Sequence, residues 1–227
     1  MYYTPDSLGN KHTQYSALKW SADPAHSWPL SQTANITLPG QALAQPAITR
    51  LRDGSLLALL RDRWGSWLYY ATSSDEGRSW GAPWSTGIIN NNKAVAVHTL
   101  LSGTVALLFT NSHKRSNMWP VSLALSEDGG ATFPHVRDLQ ERFDTTYEKA
   151  EFSYPTMVWC PGLCGSPAVP DPSGQGSLHM AYTYSKGNAQ RTGIRYLCVD
   201  DVEAWARSGG PSKGTYRGLD DRFVKPE

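Results

Sequence analysis

Short apolar runs separated by turn residues pattern this chain. Ser55-Leu-Leu-Ala-Leu-Leu60 and Val105-Ala-Leu-Leu-Phe-Thr110 each follow a turn pair, Asp53-Gly54 and Ser102-Gly103, as the second strands of hairpins do. Two further β-prone runs, Trp67 to Thr72 and Val121 to Leu125, each lead into an acidic octet. The octets read Ser73-Ser-Asp75-Glu-Gly77-Arg-Ser79-Trp80 and Ser126-Glu-Asp128-Gly-Gly130-Ala-Thr132-Phe133, sharing Ser-x-Asp-x-Gly-x-(Ser/Thr)-aromatic. A degraded copy, Ser21-Ala-Asp23-Pro-Ala25-His-Ser27-Trp28, has Ala25 in place of the glycine. The copies start 52 and 53 residues apart, leaving room for about four strands per period, and a four-stranded sheet repeated every ~50 residues is the pattern of a β-propeller blade.

The residue types of the octet suit a hairpin turn. The Asp carboxylate accepts hydrogen bonds from its own turn, Gly tolerates positive φ, and the aromatic closes the loop from below. Asp75 and Asp128 are therefore assigned to turn formation rather than catalysis. The octet also lacks the spaced oxygen ligands and distal Glu of a calcium loop. Residues 159–176, rich in Pro, Gly and Ser, predict a loop. A short helix is expected over Val202 to Arg207, with a polar, disordered tail from about 208. The expected organisation is thus a sheet-forming unit over 1–200 and a helix and tail over 201–227.

With 21 basic and 20 acidic residues the net charge is +1, so no strong field recruits nucleic acid or an anionic membrane. No apolar run approaches the ~20 residues of a membrane-spanning helix. Hydrophobic residues make up 40% of the chain and aromatics 11%, enough for a core, and 20 Gly with 15 Pro favour turns over a helical bundle. Cys160 and Cys164 fall in the predicted loop and Cys198 in a strand-like run. Without four closely spaced ligands no metal site is expected, and free thiols or one small loop disulfide are the alternatives. His12, His98 and His179 show no ligand spacing and read as packed or surface histidines. The opening Met1 to Gly9 shows neither a basic start nor an apolar stretch, so no secretory signal is visible; a cytosolic location or a lost N-terminus both fit. Asn35-Ile-Thr37 has the form of an N-glycosylation sequon, to which the missing leader gives little weight.

The octets, with Gln45-Pro-Ala-Ile-Thr-Arg-Leu-Arg-Asp-Gly-Ser-Leu-Leu-Ala-Leu-Leu-Arg61, Asn90-Asn-Asn92, Glu151-Phe-Ser-Tyr-Pro-Thr-Met157, Leu178 to Tyr184 and Gly193 to Tyr196, resemble the sialidases and related BNR-repeat, Asp-box proteins over about residues 12 to 200. The resemblance implies an all-β fold, a six-bladed β-propeller. Six periods of about 52 residues need about 310, so about three to four blades of four antiparallel strands are expected here. Such an open ring would expose edges and associate.

The resemblance also implies chemistry: an exo-α-sialidase type of glycoside hydrolase acting on terminal acidic sugars of glycans, without a cofactor. Sialidases use a Tyr nucleophile, a neutral phenol that avoids repulsion with the substrate carboxylate. Tyr154 occupies that position. Its usual Glu partner is replaced by Gln45, which cannot take a proton; Glu148 and Glu151 stand near Tyr154 as replacements, though exposure to solvent is the commoner fate of such residues. Of three family arginines that grip the substrate carboxylate, Arg61 matches the second, Met118 stands at the third with Arg115 close by, and the first belongs to absent blades. Arg63, Asn91, Asn92, Asn111 and Arg195 are further polar residues suited to the lining of a central funnel. The alternative is a non-catalytic propeller that binds carbohydrate or protein. The oligomeric state is not readable from these residues.

Overall fold

Along the run 57–60 the side chains of Leu57 and Leu59 leave one face of a strand and those of Ala58 and Leu60 the other, and all four are fully buried. A strand that apolar on both faces must lie in a sheet covered on both sides. The computed structural model of the chain, which describes residues 2–4, 13–64, 67–140, 150–170, 176–185 and 193–208, has that arrangement. A first sheet holds β1 (Tyr2–Thr4), β2 (Thr13–Lys19) and β3 (Thr33–Ile36) in that order; a second holds β4 (Leu43–Arg50), β5 (Leu56–Asp62), β6 (Trp67–Ser73) and β7 (Trp84–Ile89). A third runs β8 (Ala96–Thr99), β9 (Val105–Thr110), β10 (Val121–Ser126) and β11 (His135–Gln140). The fourth is formed by β12 (Glu151–Cys160), β15 (Ser177–Ser185) and β16 (Gly193–Asp200), with β13 (Gly162–Leu163) and β14 (Ser166–Pro170) as a small hairpin inserted between β12 and β15. Each pair is antiparallel apart from one isolated bridge.

Three apolar layers separate the four main sheets. Ile36 of the first sheet meets Leu43, Ala58 and Leu60 of the second. Leu57 and Leu59, on the opposite face, meet Leu107 and Phe109 of the third. Ala106 and Leu108, on the far face of that sheet, meet Leu178, Met180 and Tyr182 of the fourth. The starting strands β4, β8 and β12 lie against one another in succession, so the sheets fan outward from a common side. The fold is all-β, its main antiparallel sheets having three or four strands, and is consistent with a sialidase-like propeller; among the described residues no sheet closes on itself.

Both glycine turns form as the pattern predicts. Leu51 N donates to Ser55 O at 2.8 Å and Leu100 N to Thr104 O at 2.8 Å, with Gly54 and Gly103 at positive φ. The octets join the last two strands of the second and third sheets and share one hydrogen-bond scheme. Ser79 N and Oγ donate to Asp75 Oδ1 and Oδ2 at 2.8 and 2.6 Å; Thr132 N and Oγ1 donate to Asp128 at the same distances. Gly77 N and Gly130 N donate to Ser73 Oγ (2.9 Å) and Ser126 Oγ (2.8 Å). In the degraded copy, between β2 and β3, the Asp23 carboxylate pairs with His26 instead. Gly77 and Gly130 have φ of 80° and 92°, which alanine, present at position 25, rarely adopts.

The helix α1 (Val202–Ser208) forms where expected, with Asp201 Oδ1 accepting from Ala204 N at 3.2 Å as its cap. The tail beyond it lies outside the described residues. Residues 159–176 correct the loop assignment: β12 continues to Cys160, and Gly165, at φ 77°, turns β13 into β14. The cysteine reading is corrected as well. Cys164 is bonded to Cys198 with Cα atoms 5.8 Å apart, leaving Cys160 as the free thiol. The partner lies 34 residues away, beyond the reach of any loop-local argument.

Candidate functional site

The starts of β4, β8 and β12 and the ends of β5 and β9 meet at one end of the sheets, because the starting strands run the same way and each is followed by an antiparallel partner. The octets lie at the other end of β5 and β9; seven residues of β5 span about 20 Å. Most of the candidate residues collect at the first end.

β4 and β12 carry the same irregularity there. The register of β4 with β5 slips between Ala44 and Ala47, and that of β12 with β15 between Ser153 and Thr156. The residues left out are Gln45-Pro46 and Tyr154-Pro155. Proline donates no ladder hydrogen bond, and a bulge turns the preceding residue out of the strand's alternation. Gln45 and Tyr154 accordingly have φ of 49° and 51°, and Asn92, just before β8, has 65°. Three predicted site residues thus share a left-handed backbone, a conformation that is costly for residues other than glycine and clusters at functional positions. Tyr154 is 46% exposed.

Around them the connecting loops are tied together. Arg61, on β5, donates from Nη1 to Asn92 O at 2.7 Å. Arg115 donates to Arg63 O at 2.9 Å, and Arg63 N donates to Ala42 O at 3.0 Å. Asn91, 1% exposed, donates to Lys114 O (3.0 Å) and Asn117 O (2.6 Å). Asn111 N reaches Pro120 O at 3.0 Å. Met118, the position expected to hold an arginine, bridges in parallel to Glu151 and accepts from Phe152 N at 3.0 Å, which joins this network to the start of β12. Gln45 Oε1, Asn91 Oδ1 and Asn92 Oδ1 are buried at this end with no donor among the described residues.

Arg195 stands apart from this group. It lies on β16, opposite Tyr182, with its guanidinium 4.3 Å from the centre of the Tyr184 ring and donating to Gln140. It belongs to the layer between the third and fourth sheets. Burial pushes the Tyr182 phenol up to about 12 despite the Arg195 charge beside it.

The burial of two carboxylates escaped the sequence reading. Glu151 is only 5% exposed, which corrects its assignment to solvent; Ser153 Oγ donates to it at 2.7 Å and is linked onward to Thr183 Oγ1 at 2.9 Å. Its burial follows from the parallel bridge to Met118, which local pattern does not reveal. Asp62, next to Arg61 and 5% exposed, accepts from Ala42 N at 3.2 Å. A charged pair closing an otherwise apolar strand was its one signal. Glu148 lies outside the described residues. Among the described residues the one grouping of three metal-type donors, Cys164, Cys198 and Asp200, has both sulfurs in the disulfide. No described helix is long and apolar enough to cross a membrane.

Among solved structures, the chain is similar to the intramolecular trans-sialidase of Ruminococcus gnavus in complex with oseltamivir carboxylate, at 16% identity and TM-score 0.56 over 82% of this chain and 38% of that one. It is also similar to the leech intramolecular trans-sialidase complexed with 2,7-anhydro-Neu5Ac, at 13% identity and TM-score 0.58 over 85% and 28%. A Dyadobacter fermentans protein of unknown function matches at 17% identity and TM-score 0.57 over 79% and 44%. At such identities the likeness is one of fold, and the chain spans less than half the length of each of these relatives. Comparison with curated proteins gives no match. The model of the BNR repeat-like domain matches residues 3–196, and with the repeated octet turns and the sialidase fold this chain belongs to that family as a sialidase-like BNR-repeat protein.

Proposed function

We propose that the end of the sheets bearing Gln45, Arg61, Asn92 and Tyr154 is a glycan site of exo-α-sialidase type, part of a six-bladed propeller of which this chain supplies three to four blades. The observation that carries this reading is the shared left-handed backbone at Gln45, Asn92 and Tyr154, at the same end as a strand-terminal arginine. Arg61 offers a bidentate fork to the carboxylate of a terminal acidic sugar. Arg63, Arg115, Asn92 and Asn111 line the same end, whereas Arg195 lies apart from it, over the Tyr184 ring. Tyr154 attacks the anomeric carbon as a neutral phenol. To become a nucleophile a neutral phenol needs a nearby proton acceptor, and Glu151, buried three residues away, takes the role that Gln45 cannot perform.

A second reading, a non-catalytic module that binds carbohydrate or protein, is favoured by the carboxamide of Gln45. A fluorogenic sialoside assay on the wild-type chain, Tyr154→Phe and Glu151→Gln separates the two. Turnover lost in both variants supports the hydrolase. Equal background in all three, with saturable sialic acid binding that Arg61→Met removes, supports the binding module. Absence of both turnover and binding overturns the site itself.

A further inference from the structure

The outermost strand of the first sheet carries a feature remote from the glycan site. In β3 and the residue after it, Ile36 is 1% exposed and packs into the layer beneath, whereas Asn35 and Thr37 are exposed. Residues two apart in an extended chain project to the same face, so the carboxamide and the hydroxyl of Asn35-Ile36-Thr37 stand together on the surface. Neither side chain hydrogen-bonds to another described residue. The chain leaves the strand directly afterwards: Pro39 cannot extend the ladder, and Gln41 N closes a turn on Leu38 O at 3.0 Å. Among the described residues β3 has a strand partner on one side only, so the sequon lies at the open edge of the first sheet, where a modifying enzyme has access.

An independent observation comes from the other end of the chain. The Cys164–Cys198 bond is of a kind that persists in oxidising compartments, the setting in which Asn-x-Thr sequons are modified. We propose that Asn35 is an N-glycosylation site, modified in the same compartment that forms this disulfide. The Asn35 carboxamide nitrogen forms a bond to the anomeric carbon of an oligosaccharide carried on a polyprenyl pyrophosphate. The anomeric C–O bond breaks, the lipid pyrophosphate leaves, and the amide proton passes to a base of the transferase. The glycan then covers the unpaired outer edge of β3, which would otherwise offer a template for pairing, and leaves the inner strands accessible.

The test is secretion of the full chain from a eukaryotic host behind a cleavable leader, followed by intact-mass and peptide analysis. A discrete mass increase is expected that peptide-N-glycosidase removes, leaving Asp at position 35. Asn35→Gln and Thr37→Ala should abolish it, and Thr37→Ser should retain it, which separates loss of the acceptor from misfolding. Cys164 and Cys198 should be recovered as one cross-linked peptide without reductant. Secreted wild-type chain lacking the glycan, a glycan that persists in Asn35→Gln, or free thiols at Cys164 and Cys198 would each overturn the proposal.

Discussion

Truncating the aromatic that ends each octet probes whether these turns hold the sheets together through their apolar plug or only through their hydrogen bonds. Phe133 is fully buried in the layer between the second and third sheets. Trp80 is partly buried against the layer between the first and second, and Trp28 is 53% exposed. Replacing a buried Phe by Ala removes its transfer free energy and leaves a cavity, at a cost of about 3–5 kcal/mol. For a domain of this size each kcal/mol lowers the Tm by roughly 2–4 °C, so Phe133→Ala should melt about 6–20 °C lower. Trp80→Ala loses packing on one side only and should fall between Phe133→Ala and Trp28→Ala. Trp28→Ala, at an exposed position, should stay within about 0.5 kcal/mol of wild type. Urea titrations followed by fluorescence and far-UV circular dichroism give the three differences as shifts in midpoint at constant slope. A Trp28→Ala cost equal to that of Phe133→Ala would refute the reasoning, because the octets would then contribute through the turn alone, whatever their burial.

Three further outcomes are expected. Hydrogen bonds from the Ser79 side chain and N–H, and then from Ser73, hold the Asp75 carboxyl down to about 2 against its ordinary 3.8. This stabilisation is complete above the unfolded value and is lost as pH falls through about 4 towards 2, so the acid unfolding of Asp75→Asn, followed by circular dichroism, should be shallower in that window, and identical profiles would contradict the turn geometry. Cys198→Ser opens a loop closed over a separation of 34 residues, worth about 4 kcal/mol by chain entropy; differential scanning calorimetry should show a lower Tm, matched by wild type under reductant, and an unchanged Tm would sink the prediction. Gln45→Glu restores a proton acceptor on the β4 bulge, and a positioned base contributes about 10²–10⁴-fold. Sialoside hydrolysis should rise mainly in kcat, and an unchanged rate would remove position 45 from the reaction.

What could be read from the residues alone was local. The octets, the Asp53-Gly54 and Ser102-Gly103 turns and the short helix depend on hydrogen bonds within a few residues and on the φ that glycine permits, so composition and order sufficed. The alternation of Leu57, Ala58, Leu59 and Leu60 likewise announces a strand covered on both faces. The candidate site was legible only in part. The Gln45-Pro46 and Tyr154-Pro155 pairs mark positions where a ladder must break, but no pattern states that both bulges lie at one end of the fan. Asn91 holds a loop more than twenty residues away, Glu151 is buried by its bridge to Met118, Arg195 turns into the layer under Tyr184, and Cys164 finds Cys198 rather than a loop neighbour. Each of these depends on which strands the stacking of the sheets brings together. Hydrophobic burial drives that stacking without direction, and partner choice across it follows from the shape of the whole rather than from any short segment.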